Sequence, residues 1–431
     1  KFTQFFANKY IPLFRLNHFR ILMTSETFSL KINPMDLIAD RVKALSESQT
    51  LAMTQKSREL KAKGIDVINL SIGEPDFTVP QHIKDAAKKA IDDNYSYYPP
   101  VAGYEDLRKA IVEKFKRDNK LDFKQEQIVV SNGAKHSIMN VILSLVNAGD
   151  EVIIPAPYWV SYIEMIRLAR GKAVVIESFI ENDFKVTPEQ IEDAITEKTK
   201  IFLFSSPSNP TGSLYTKDEL KEFAKVFARN KHVMVVSDEI YEHINFVGKH
   251  ESIAQFEELK DQVVVVNGVS KGYAMPGYRI GYLAAPVWLS KAIIKIQGQM
   301  TSSPSSIAQM AALAGLINDN STIYAMRDVF HRRRDLILSL LKEIPDMKTN
   351  TPQGAFYIFA DIHKYIGRTN GDITIKDDND LCMYLLNDAH VALVGGSAFG
   401  TPGYIRFSYA TSDENIIESV KRIKASLAKL F

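Results

Sequence analysis

One lysine, Lys271, stands at the end of the run Val263-Val264-Val265-Val266-Asn267-Gly268-Val269-Ser270, and one arginine, Arg279, follows eight residues later. Four consecutive valines predict a strand buried on both faces of a parallel sheet. In open α/β sheets ligands sit in the crevice at the carboxyl ends of the strands, so the chain delivers this lysine to a ligand's position. An amine held beside cations and partly desolvated gives up its proton more easily. That is the condition for a Schiff-base nucleophile that traps a carbonyl. A solvated loop lysine is the bland alternative, and Lys271 alone does not decide between the two.

Four further motifs follow predicted strands. In Ser206-Pro207-Ser208-Asn209-Pro210-Thr211-Gly212, prolines fix a turn on which Asn209 offers a rigid amide donor to a ring oxygen; an ordinary Pro/Gly loop reads the same way. In Ser237-Asp238-Glu239-Ile240-Tyr241-Glu242-His243, an aspartate can keep a pyridine nitrogen protonated and a tyrosine can bond the ring's phenolic oxygen. Residues three apart on a strand face opposite sides, so Asp238 and Tyr241 converge only if the chain curls after the aspartate. A metal cluster of Asp238, Glu242 and His243 competes with this reading, but no second histidine lies at ligand spacing, so no metal is expected. In Ser131-Asn132-Gly133-Ala134-Lys135-His136-Ser137, a strand turns into a helix whose first N–H groups suit an anion, or merely start a helix; the Walker spacing is absent. Arg406, in Tyr404-Ile405-Arg406-Phe407-Ser408-Tyr409, has apolar strand neighbours and needs a carboxylate partner, from a substrate or from the protein itself. Trp159 follows another strand end and can stack on a planar ring or serve as core.

The elements that must position these residues alternate strand and helix from about Ile65. Strands are predicted at Val67–Ile72, Gln127–Ser131, Glu151–Ile154, Ala173–Glu177, Ile201–Phe204, Val233–Val236 and Val263–Val266, with helices at 81–91, 104–117, 137–146 and 216–230. Thr187-Pro188-Glu189-Gln190 adds a capped helix start. The expected fold class is α/β, a mostly parallel sheet sandwiched by helices. After Ser321 a long helix leads to alternating strands at 355–360 and 404–409 and helices at 380–388 and 413–430, which predicts a smaller α+β domain. The domain reading is therefore an extension at 1–35, an arm and part of the small domain at 36–79, a large domain at 80–320, and the small domain at 321–431.

Composition sets the outer limits. With 431 residues, 45% hydrophobic and 24% charged, the chain reads as a multi-domain globular protein. A formal charge of +2 and no basic stripe leave nucleic acid unsupported, and no apolar run has membrane-spanning length. The single cysteine, Cys382, points to a reducing, cytoplasmic setting. The basic, acid-free segment 1–22 lacks an apolar core and a cleavage site, and reads as an extension upstream of Met23 or Met35 rather than a targeting peptide.

With these residues assembled, the chain resembles the class I aminotransferases of fold type I that use pyridoxal phosphate. The motifs Gly73-Glu74-Pro75-Asp76-Phe77, Tyr98 to Gly103, Asn209 to Gly212, Ser237 to Tyr241, Ser270-Lys271 with Arg279, and Arg406 stand in family order. The resemblance implies a seven-stranded-type sheet and a homodimer with shared sites. It implies Lys271 as the Schiff-base lysine, Asp238 on the pyridine nitrogen, and Tyr241 and Asn209 on the ring oxygen. Gly133, Ala134, Arg279 and Tyr98 from the second subunit would hold the phosphate, Ser270 would contact the cofactor, Trp159 would stack on the ring, Arg406 would clamp the α-carboxylate, and Gly73 would contact the substrate. It also implies a cis bond at Asn209-Pro210. Within the family the chain looks like the aspartate and aspartate/prephenate branch, where a lysine at Lys135 and a threonine at Thr50 go with the distal carboxylate. Transamination of aspartate with 2-oxoglutarate is therefore expected, with prephenate as a second acceptor. Broader or aromatic specificity, or a carbon–sulfur β-lyase on the same fold, are the alternatives. Pro276 and Ser208 depart from the commoner threonine and asparagine.

Overall fold

The computed structural model describes residues 37–47 and 49–431. The basic N-terminal stretch lies outside them. Two compact units partition the chain at Lys43/Ala44; the described part of the first holds the short helix Asp40–Lys43. Everything below concerns the second.

Its centre is a seven-stranded sheet of β1 (Ile128–Ser131), β2 (Glu151–Ala156), β3 (Lys172–Glu177), β4 (Thr199–Ser205), β5 (Met234–Asp238), β6 (Val263–Gly268) and β7 (Gly281–Ala284). The spatial order is β1-β7-β6-β5-β4-β2-β3. β7 runs antiparallel to both neighbours and the remaining pairs are parallel. The valine run behaves as its composition requires. Val263 and Val265 pack with Phe202, Phe223 and Phe227 on one face, while Val264 and Val266 join Ile138, Ile154 and Leu203 on the other. Every residue of β6 is buried, because helices cover both faces of the sheet.

A second layer is the antiparallel sheet of β8 (Lys348–Thr349), β9 (Tyr357–Asp361), β10 (Val394–Gly395) and β11 (Tyr404–Ser408), ordered β10-β11-β9-β8. Its core joins Phe356, Ile358, Leu385, Ile405, Phe407 and Ile423 with Val67 and Leu70. The early segment enters this layer directly, since Ile68–Asn69 pairs in parallel with Val391–Ala392.

Local differences from the sequence reading have physical causes. The predicted strand at 67–72 shortens to Ile68–Asn69; Leu70 still exchanges backbone bonds with Ala392 and Ser408, whereas the Ser71 and Gly73 carbonyls are taken by the side chains of Arg406 and Lys271. The helix predicted at 104–117 is α-helical over Glu105–Lys114 and then widens into a π-helical turn at Phe115–Asn119. The helix expected from Ser137 begins earlier, at Ala134. The antiparallel β7 and the helices Val287–Met300 and Ser306–Ile317 lay outside the reading. A four-residue strand opening on glycine and a helix of mostly small apolar residues carry weak periodicity.

Candidate active site

A cavity of about 560 Å3 opens at the carboxyl ends of the central strands, where the alternation of elements placed it. Ser205 ends β4 and Asp238 ends β5; the two are register partners, and Asp238 pairs in turn with Val266 of β6. Lys271 stands three residues beyond the end of β6. Thr50, Gly73, Ala134, Lys135, Trp159, Asn209, Asp238, Tyr241, Ser270, Lys271, Arg279 and Arg406 all line this cavity. The chain does curl after Asp238: Glu242 N donates to Glu239 O at 2.9 Å and Ile244 N to Tyr241 O at 2.8 Å, which brings Asp238 and Tyr241 to the same space.

Lys271 Nζ donates to the Gly73 carbonyl at 2.5 Å. Burial pushes its amine down and Glu74 opposes this, while Arg406 and Arg279 add to the fall; the net pKa is about 8. Asp238 is 5% exposed. Its Oδ2 accepts from the Tyr162 hydroxyl at 2.7 Å and its Oδ1 from Ile240 N at 3.3 Å. Burial raises its carboxyl to about 6 against those two hydrogen bonds. A buried carboxylate beside a buried amine is suited to holding a proton on a ligand and moving another.

Arg406 is 2% exposed. Its Nη1 donates to Asn209 Oδ1 at 2.9 Å and its Nη2 to the Ser71 carbonyl at 2.6 Å. The guanidinium lies over the rings of Tyr357 and Phe399 at 4.5 and 5.0 Å. Its Nε has no hydrogen-bond partner, and burial lowers its pKa, with only the Tyr357 and Tyr241 hydroxyls acting against the fall. Among the described residues no carboxylate pairs with it, so the ion pair weighed as an alternative is not formed. A buried cation with no acid fits a ligand carboxylate.

Gly133, at φ +83, starts the helix Ala134–Leu145. It does not line the cavity but backs it, because the Arg279 guanidinium lies where its Cβ would be. Arg279 Nη2 donates to Asn132 O at 3.3 Å and Nη1 to Pro276 O at 2.9 Å. A helix N-terminus beside an arginine forms an anion cradle. Lys135 lies 5.0 Å over the Trp159 ring. Although the residue as a whole is exposed, desolvation of its amine and then Arg279 push its pKa down.

Tyr98, expected from a second subunit, is not tested within one chain, and the cis bond expected at Asn209-Pro210 is not formed. Tyr98 is 96% exposed and does not line the cavity of its own chain. The cis peptide bonds are Ala156-Pro157 and Ser206-Pro207, and Asn209-Pro210 is not among them. The isomers of an X-Pro bond differ by only about 0.5–1 kcal/mol, so tertiary packing rather than the local motif selects which proline is cis. The metal set Asp238, Glu242 and His243 does not converge either. Asp238 faces Tyr162, while Glu242 turns to a buried contact with Lys114 and accepts from Asn119 Nδ2 at 2.8 Å.

The sequence reading missed Tyr162 and Tyr357. Tyr357 Oη lies 2.7 Å from Tyr241 Oη, and Tyr162 stacks edge-on with Trp159 at 5.5 Å. A signal existed for each: a tyrosine inside an apolar strand needs a partner for its hydroxyl, and Tyr162 follows Trp159 by three residues on the entry to a helix.

A family model for class I and II aminotransferases matches residues 65–423. Among named relatives, an aspartate/prephenate aminotransferase of Nitrosomonas europaea is 44% identical over 395 residues, covering 91% of this chain and 100% of that protein. An aspartate aminotransferase of Bacillus subtilis is 45% identical over 394 residues, covering 91% and 99%. The solved aspartate aminotransferase of Rhizobium meliloti matches with a TM-score of 0.89 at 40% identity over 91% of this chain and 99% of its own. That of Thermus thermophilus with maleate matches at 0.85 and 38% over 90% and 99%. The matched residues 65–423 include both sheets, and the chain belongs to the class I and II aminotransferases.

Proposed function

We propose that this aminotransferase uses pyridoxal 5'-phosphate to move the amino group of L-aspartate to 2-oxoglutarate, giving oxaloacetate and L-glutamate. The buried Arg406, with a free Nε and no acidic partner among the described residues, carries the reading, and relatives named for aspartate support it. The residues fit the cofactor. Lys271, Asp238, Tyr241, Asn209 and Trp159 would hold its ring, Gly133, Ala134 and Arg279 its phosphate, and Ser270 would contact the cofactor beside Lys271. Tyr98, exposed in its own chain, would reach the phosphate across a homodimer interface. We take residues 80–320 as the cofactor-binding domain and 321–431 with part of the 44–79 segment as the smaller one, and place the enzyme in the cytoplasm on its single, buried cysteine.

When bound, pyridoxal phosphate supplies an aldehyde for amines and a protonated ring that accepts the electron pair left at the substrate α-carbon. The chain's own groups do the rest. With its pKa near 8, Lys271 is present partly as the free amine at neutral pH, so Nζ can take and return the α-proton. Asp238 holds a proton on the ring nitrogen, and Tyr162 orients its carboxylate. Arg406 grips the α-carboxylate, while Asn209 Oδ1 and the Ser71 carbonyl fix the guanidinium plane. Lys135, with Thr50 and Gly73 in the same lining, selects a distal carboxylate. Arg58 adds a second cation to that lining, which favours prephenate as a further amino acceptor, as the names of the relatives do.

Mixing the pyridoxal form with aspartate and no acceptor tests this. One equivalent each of pyridoxamine phosphate and oxaloacetate is expected per site. Release of pyruvate and ammonia from cystathionine, without pyridoxamine phosphate from aspartate, would instead establish the β-lyase.

A further inference from the structure

Strand alternation sends the residue after Asp238 to the opposite side. Glu239 is fully buried there. Its Oε1 accepts from Ser237 Oγ at 2.9 Å and from Ser252 Oγ at 2.6 Å, and its Oε2 lies 3.0 Å from His250 Nε2. Its backbone N donates to Val266 O at 2.8 Å, tying the end of β5 to β6. A second buried pair, Glu242 with Lys114, lies beside it. His243 packs edge-on against Tyr273 and touches Gly272, the residue after Lys271.

Glu239, Glu242 and His250 each bring one donor atom within 4.8 Å of the others, which suggests a metal. The donors are spent, however. Both oxygens of Glu239 already accept from protein groups, and Glu242 is paired with an ammonium that a cation would have to displace. What remains is electrostatic. Unpaired, a Glu239 charge one residue from Asp238 would drive protons onto Asp238.

Resting on the cofactor proposed above, we infer that Glu239 and His250 are a charge-compensating positioning pair behind Asp238: a protonated His250 donates a hydrogen bond to the Glu239 carboxylate, offsets its charge, and leaves Asp238 ionised for the ring nitrogen. The surroundings agree with this assignment. Burial opposes a charged imidazole, but the Glu239 charge and hydrogen bond outweigh it, with Glu242 adding to and Lys114 opposing the net rise of the His250 pKa. Asp118, His243, Lys249 and Arg327 face the same small cavity of about 140 Å3. The charge of Glu239 itself acts to raise Asp238.

The test uses holoenzyme carrying His250→Gln, which keeps an N–H donor and removes the charge, and the double variant Glu239→Gln/His250→Gln, which removes both charges. In His250→Gln the pH midpoint of the bound cofactor's absorbance change should rise by on the order of one unit, with about tenfold weaker cofactor retention. The double variant should return both readouts to wild type. An unshifted His250→Gln, or a double variant as impaired as the single, overturns the pair and leaves only packing. Should His250→Gln fail to fold, Glu239→Gln and the double variant still decide: both must keep the wild-type midpoint, and a shift in either overturns the inference. Wild-type protein that takes up no cofactor would overturn the proposed function and this pair together, whereas normal uptake with an unshifted midpoint in His250→Gln overturns the pair alone.

Discussion

Replacing Tyr162 with Phe removes one hydroxyl from the site and little else. The ring stays packed edge-on against Trp159, and what is lost is the 2.7 Å hydrogen bond to Asp238 Oδ2. Both residues are almost fully buried, 1% and 5% exposed, so solvent does not replace the bond. A hydrogen bond to a buried charged group contributes about 1.5–3 kcal/mol. At about 1.4 kcal/mol per pKa unit, the loss would raise Asp238 by about one to two units. From its present value of about 6, the carboxyl would move to about 7–8. At pH 7.5 the ionised fraction would then fall from about 97% to between about 75% and 25%.

The assay is pyridoxal phosphate affinity of the cofactor-free protein as a function of pH. Affinity should fall below a midpoint near 6 in the wild type, and that acid limb should move up by one to two units in the variant, converging with wild type at high pH. An acid limb that stays in place, or a uniform loss at every pH, would refute the reasoning and make Tyr162 a packing residue. Folding is linked with the same sign. Because the folded-state pKa of Asp238 lies above its ordinary 3.8, the folded protein holds that proton more tightly than the unfolded chain. The contribution of Asp238 to stability is therefore complete below about 3.8 and is lost as pH rises through 6. Tyr162→Phe extends the loss to higher pH, so cofactor binding should raise the melting temperature more at pH 7.5 than at pH 5.

Other substitutions separate roles that share the cavity. Lys135→Gln should lower kcat/KM for aspartate about 10- to 100-fold, the value of one charge-assisted contact, and change alanine little; equal losses would move Lys135 to the phosphate or to structure. Arg406→Lys loses the planar fork and should raise KM for aspartate and alanine alike, so a selective effect on aspartate would contradict its assignment to the α-carboxylate. In the buried pair, burial raises the Glu242 carboxyl but Lys114, His243 and His250 outweigh it and hold it down to about 2. Its stabilising share is present above its ordinary 4.5 and lost as pH falls through about 2. Lys114→Met should cost roughly 3–5 kcal/mol in thermal or denaturant unfolding, and adding Glu242→Gln should recover much of it; a double variant no better than the single would mean that packing dominates.

Lys271, Asp238, Asn209 and Arg406 were legible because each broke a local pattern. A charged or amide group stood where an apolar strand ended, or, for Arg406, inside one. The sheet was legible for a related reason, since strands such as Val263–Gly268 are buried on both faces and read as continuous apolar runs. The layer holding Arg406 was visible through its alternation, though its link to Ile68–Asn69 spans more than three hundred residues of chain and has no local signature.

The groups that tune the site had no such mark. Glu239 and Glu242 look like solvated acids beside an aspartate, Lys114 like the exposed end of an amphipathic helix, and His250 like a loop residue. Their burial follows from two events at a distance: the π-helical turn at Phe115–Asn119 that places Asn119 on Glu242, and the return of the 248–252 loop, which lays His250 and Ser252 on Glu239. Four charges gathered in this way are tolerable only as neutral pairs. That requirement links them to the chemistry, because Asp238 can keep its charge in a dry site only if the acids behind it are already answered.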